Sequence, residues 1–122
     1  MNFTIAKEET YNLIKLGKDT LTSPDKLKAE VKSLAKDNPF FIINCKAVAS
    51  MDKEGRNAVL ALNSTAKAME GSLIVSELKD DLKPRLEEDG VHCLPTDNEA
   101  VDYIFMEQIE SQLGDFDDED ED

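Results

Sequence analysis

Few residues of this 122-residue chain could do chemistry. The single histidine, His92, stands beside Cys93, and a second cysteine, Cys45, lies far off along the chain. A thiol next to an imidazole could make an activated nucleophile. Neighbours on a strand point to opposite faces, however, and this pair sits in a short apolar stretch, so both residues read as structural. Cys45 closes an apolar run and reads as small core filling. There is no C-x-x-C, no G-x-S-x-G elbow and no glycine-rich phosphate loop. The cysteines have no metal-ligand spacing. An enzyme, a cofactor and a metal are therefore not expected.

The polar residues worth weighing lie between 50 and 57: Ser50, Asp52, Lys53, Glu54, Gly55, Arg56 and Asn57. Asp52 precedes a helical pattern, where its carboxylate accepts bonds from free amides and meets the positive end of the dipole. Gly55 would let a partner approach the backbone closely. Arg56, Asn57, Asn63 and Lys67 are expected on the exposed side of the same helix. Such a set can dock another protein. It serves equally as an ordinary cap, Asp52, followed by a solvated first turn, Lys53. The hydroxyls of Thr22 and Ser23 read as turn or cap groups.

Apolar residues make up 40% of the chain, enough for a core in one domain of this length. The formal charge is -13, which repels nucleic-acid phosphates and anionic membranes. The longest apolar runs, such as Phe40 to Ile43, are too short to span a bilayer, and residues 1–6 show no secretion signal. A cytoplasmic, thiol-reduced protein is the expectation. Seven acidic residues fall between Asp115 and Asp122, leaving -6 for the rest (-13 + 7). Residues 1–113 are expected to fold, with Gly114 ending the last helix and 114–122 forming a disordered acidic tail.

The elements that must position these groups alternate. Phe3 to Ala6 and Tyr11 to Leu16 read as a hairpin. Ser23 and Pro24 open a helix, with Leu27, Val31, Leu34 and Ala35 on one face. Phe40 to Cys45 reads as a central strand covered on both faces, with Phe40, Phe41, Ile42 and Ile43 all buried. A second helix is predicted from Lys53 to Met69, with Met69 on its inner face and Gly71 at its end. Leu73 to Val75 make a strand, about Asp81 to Asp89 a third helix closed by Gly90, and Val91 to Leu94 a last strand. Thr96 and Glu99 form a capping box. The helix beyond turns Ala100, Val101, Ile104, Phe105 and Ile109 inward. This is an α/β series with right-handed crossovers, a mostly parallel sheet and about four helices.

The segment from Phe40 to Leu62, FFIINCKAVASMDKEGRNAVLAL, resembles the STAS family of sulfate transporters and anti-sigma factor antagonists. In that family an apolar strand leads to a loop reading approximately D-S-S-G and then to an apolar helix. Asp52 and Gly55 fall on the family's Asp and Gly, while Lys53 and Glu54 replace its serines. Leu78 to Gly90 resembles the family's third helix, and Thr96 to Ala100 the start of its last. The resemblance implies a non-enzymatic, bacterial, cytoplasmic signalling domain that binds a protein, first an anti-sigma factor or a related kinase-like domain. It also implies that the phospho-switch on the first loop serine is lost, because Lys53 cannot carry a serine-type phosphate. Ser50 is the one hydroxyl left in the loop. The alternative is a constitutive STAS-like subunit of a transporter-associated or stress-sensing assembly. The resemblance names no single partner, oligomeric state or signal.

Overall fold

The structure is a computed structural model that describes residues 2–120; the side chains of residues 111–120 are outside the described set. Strands β1 (Phe3–Lys7) and β2 (Asn12–Leu16) form the antiparallel hairpin. Then follow α1 (Asp25–Ala35), β3 (Phe40–Asn44), α2 (Lys53–Ala68), β4 (Ser72–Ser76), α3 (Lys83–Glu88), β5 (His92–Leu94) and α4 (Asp97–Asp120). The sheet order is β1-β2-β3-β4-β5, with β2 to β5 all parallel. Because strand order follows chain order, right-handed crossovers bring α1, α2 and α3 to the same face. Among the described elements, α4 alone covers the other.

The sheet faces accordingly differ in depth. Phe41 and Ile43 of β3 point into the main core with Ile14, Leu27, Val31, Val59, Leu62, Val75 and Leu86. Ile42 points the other way, into a small cluster with Ile74, Ala100 and Ile104, against which Phe40 packs. The predicted alternation along β3 holds, with one correction. Phe40 is half-buried, because it stands at the first position of the strand where α4's cover thins.

Helix ends depart from the sequence reading in detail. Ser23 does not cap α1; it closes a 3-10 turn at Thr20–Thr22, and Pro24 takes the cap position without a side-chain bond. Met69 is 44% exposed, since α2 ends one residue before it. The left-handed residue after α2 is Glu70, at φ 63°, whereas Gly71 is needed for another reason: a Cβ there would collide with the Pro39 carbonyl. Gly90 does end α3, at φ 89°. Phe105, expected inward, is 56% exposed because α4 rests on Ala100 and Ile104 and is narrow-faced. α4 runs through Gly114, where a stop was expected. The side chains from 111 onward, and with them the expected boundary between folded unit and acidic tail, lie outside the described residues.

Candidate functional site

The loop from β3 to α2 is pinned at both ends and free in the middle. At its start the Asn44 side chain accepts from the Lys46 amide (2.9 Å), and the Cys45 amide donates to the Ser76 carbonyl of the next strand (2.9 Å). Val48 is buried and anchors the turn, while Ala49 and Ser50 are exposed. Met51 packs against the main core. Asp52 then caps α2 from extended backbone, its Oδ1 accepting from the Gly55 amide at 2.8 Å. The cap role predicted for Asp52 is thus observed.

Lys53 and Glu54, in the first turn of α2, and Asn57, at the start of the second, are exposed. Arg56 is half-buried and reaches Asp89 at the end of α3, Nε to Oδ2 3.8 Å. Gly55 differs from expectation. It is buried, with Leu21 and Met51 where a Cβ would need space, so it lets α2 seat closely on the 3-10 turn and offers nothing to a partner. Asn63 is also buried, at 7% exposure, and Lys67 stands in the last turn of α2. At 1.5 Å per residue Lys67 lies about 21 Å along the helix from Lys53, so these two residues do not join the loop.

Two shallow clefts flank the stretch from Ser50 to Asn57. One, of about 190 Å³, brings Ser50, Met51 and Asp52 to Lys18, Asp19 and Thr22. The other brings Glu54 and Asn57 to Thr22, Ser23 and Lys28. Both clefts carry charges of both signs, and Leu21, Ala49 and Met51 also line the first. Neither cleft pairs a nucleophile with a base.

His92 and Cys93 point to opposite faces as expected. His92 is exposed and stacks on Tyr103, ring centroids 4.3 Å apart. Burial, followed by the neighbouring Glu87 carboxylate, pushes the Cys93 thiol up to about 11. Burial pushes Cys45 up to about 12, with Cys93 adding to the effect. Both are protonated and inert near neutral pH. Among the described residues no group of three or more His, Cys, Asp or Glu could hold a metal ion.

Sequence reasoning missed a polar cluster at the carboxyl ends of the strands. Asn44 donates from Nδ2 to both Asp97 oxygens (3.0 and 3.1 Å) and to Glu77 (3.1 Å), and the Ser76 hydroxyl donates to Asp97 (2.5 Å). Glu77 holds a left-handed backbone, φ 53°. The available signal was positional: Asn44 and Ser76 end neighbouring parallel strands, and their register makes them partners. The acceptors are met by internal donors, so the cluster fastens the start of α4 to β3 and β4.

Neither a protein-family model nor a curated relative matches the sequence. Solved structures do. A singly substituted form of the Moorella thermoacetica protein RsbS superposes with a TM-score of 0.74 at 14% identity, over 85% of this chain and 95% of that one. The fold is the STAS fold. A chain from a structure of the stressosome, described as a signal integration and transduction hub, gives 0.70 at 14% identity, over 83% of this chain and 95% of that one. The anti-sigma factor antagonist SpoIIAA, unphosphorylated, gives 0.66 at 17% identity, over 84% and 96%. On this STAS fold Asp52 caps α2, the helix between the third and fourth strands.

Proposed function

We propose that this chain is a non-enzymatic interaction domain of the bacterial cytoplasm that docks a regulatory protein in the manner of anti-sigma factor antagonists. The contact comprises Ser50, Asp52, Lys53 and Glu54 with Arg56 and Asn57; Gly55 shapes it from beneath. The carrying observation is that a rigidly capped helix start presents Lys53 and Glu54 to solvent on a STAS fold. An anti-sigma factor or a kinase-like domain is the partner class. No phosphate forms at Lys53, and one on Ser50 would crowd the Asp52 carboxylate, so binding is constitutive or set by partner abundance. No helix among the described residues is long and apolar enough to cross a membrane.

Affinity capture from the native cell, with wild type beside Lys53→Glu, tests this. The wild type should retain a protein that Lys53→Glu loses, because the change reverses charge at the centre of the contact. Equal capture by both, or stoichiometric phosphate on Ser50, would sink the proposal. Lys53 also supports a second reading, a permanent subunit of a transporter-associated or stress-sensing assembly. Copurification in a large complex of fixed stoichiometry would favour it.

A further inference from the structure

We infer that the cleft at the open edge of β4, between the end of α2 and the middle of α4, binds a free α-amino acid by its ammonium and carboxylate groups. β5 joins β4 only from His92, opposite Ile74, so Ser72 and Leu73 have no strand beside them on that edge. A cleft of about 250 Å³ occupies the notch, with Asn63 and Lys67 of α2 on one side and Tyr103 and Glu107 of α4 on the other. That volume is below the roughly 300–1,000 Å³ of sites for drug-sized ligands, so the occupant is a smaller molecule.

Asn63 marks the cleft as a site. Among the described residues the buried polar ones are Asn12, Thr20, Asn44, Asn63 and Ser76. Asn12, Thr20, Asn44 and Ser76 are each hydrogen-bonded within the chain. Asn63, only 7% exposed, has no side-chain partner among the described residues, although every wholly buried side-chain nitrogen or oxygen there is paired. Its amide therefore keeps its remaining exposure towards the cleft that it lines. The flank of the helix agrees: Arg56, two turns earlier, faces α3 through Asp89, and Asn63 and Lys67 follow it along α2. A nearly buried amide without a partner is costly, and a ligand that supplies one gains what the folded chain lacks.

The walls select the ligand. Lys67 brings a cation and Glu107 an anion from opposite layers, and the two form no ion pair with each other. Glu107 accepts from the Ser72 hydroxyl through Oε1 (2.5 Å), which leaves Oε2 open. A simple anion would be repelled by Glu107 and a simple cation by Lys67, whereas a molecule carrying both charges meets both walls. Asn63 fits the same ligand, since Nδ2 donates to a carboxylate and Oδ1 accepts from an ammonium. One amide reaches both groups only where a single carbon separates them, as in an α-amino acid. The ligand's side chain would lie against the stacked rings of His92 and Tyr103, which also line the cleft. This site is at the far end of α2 from the proposed docking contact and does not depend on it.

Titrating the isotope-labelled full chain with each of the common protein amino acids, read by amide chemical shifts, tests the inference. At least one amino acid should move the amides of Ser72, Gly90 and His92 saturably at or below about 10 mM, a range that includes weak small-molecule binding. For that amino acid, the amine lacking the carboxylate and the acid lacking the ammonium should each bind at least about tenfold more weakly. Lys67→Met and Glu107→Gln should each weaken binding by a similar factor with unchanged thermal unfolding, Lys67 because it is exposed and Glu107→Gln because it keeps an acceptor for Ser72. No saturable shift with any amino acid at about 10 mM, or binding indifferent to either substitution, overturns the inference. Equal binding of the acid lacking the ammonium also overturns it, since that outcome marks a simple anion site.

Discussion

Asp52 has a measurable structural duty apart from any partner. Its carboxylate satisfies the Gly55 amide at 2.8 Å, so Asp52→Ala should cost about 1 kcal/mol in urea unfolding, while Asp52→Asn should keep most of that. Equal stability of all three proteins would show that the cap contributes nothing. The cysteines act at the same scale through pH. Burial raises both thiols from 9.0, to about 12 for Cys45 and about 11 for Cys93. Between pH 9 and those values the unfolded chain releases protons that the folded chain retains. Stability should therefore be unaffected by these groups below pH 9 and fall as pH rises above it. Denaturant unfolding at pH 8 and pH 10.5 checks this, and Cys45→Ala should flatten the slope. A thiol reagent at pH 8 should label neither cysteine until the protein unfolds.

Among the elements, β3 carries the most. Phe41 and Ile43 fill the three-helix side while Ile42 serves the α4 side, and all three are wholly buried. Phe41→Ala removes an aromatic ring from the middle of the main core and should cost roughly 3–5 kcal/mol. A variant unfolding at the wild-type urea midpoint would reject that placement. α4 depends on less. Its apolar contact is four buried side chains, supplemented by Asp97 on Asn44 and Ser76 and by Glu107 accepting from Ser72 (2.5 Å). That sparse contact is why Phe105 stands exposed beside it.

Across the whole molecule, charge is sorted along the chain. Seven of the 27 acidic residues fall in Asp115–Asp122, and only Phe116 interrupts them. We expect this segment to be dispensable for folding. Deleting Asp115 to Asp122 removes the mutual repulsion of seven carboxylates, so the melting temperature should hold or rise slightly. A loss of cooperative unfolding on that deletion would place the domain end later than residue 113.

The order of elements, the core side of α1 and, Met69 apart, of α2, the alternation along β3 and the Asp52 cap were all legible in the amino-acid sequence. Each rests on local periodicity or on a bond between residues three apart, which the chain displays without its fold. Burial of Gly55 and Asn63, exposure of Met69 and Phe105, and the gathering of Asn44, Ser76, Glu77 and Asp97 were not. They depend on which elements become neighbours and how far a covering helix extends. A residue's face follows from its spacing along the chain, but its burial follows from what lies opposite, and only the tertiary structure supplies that.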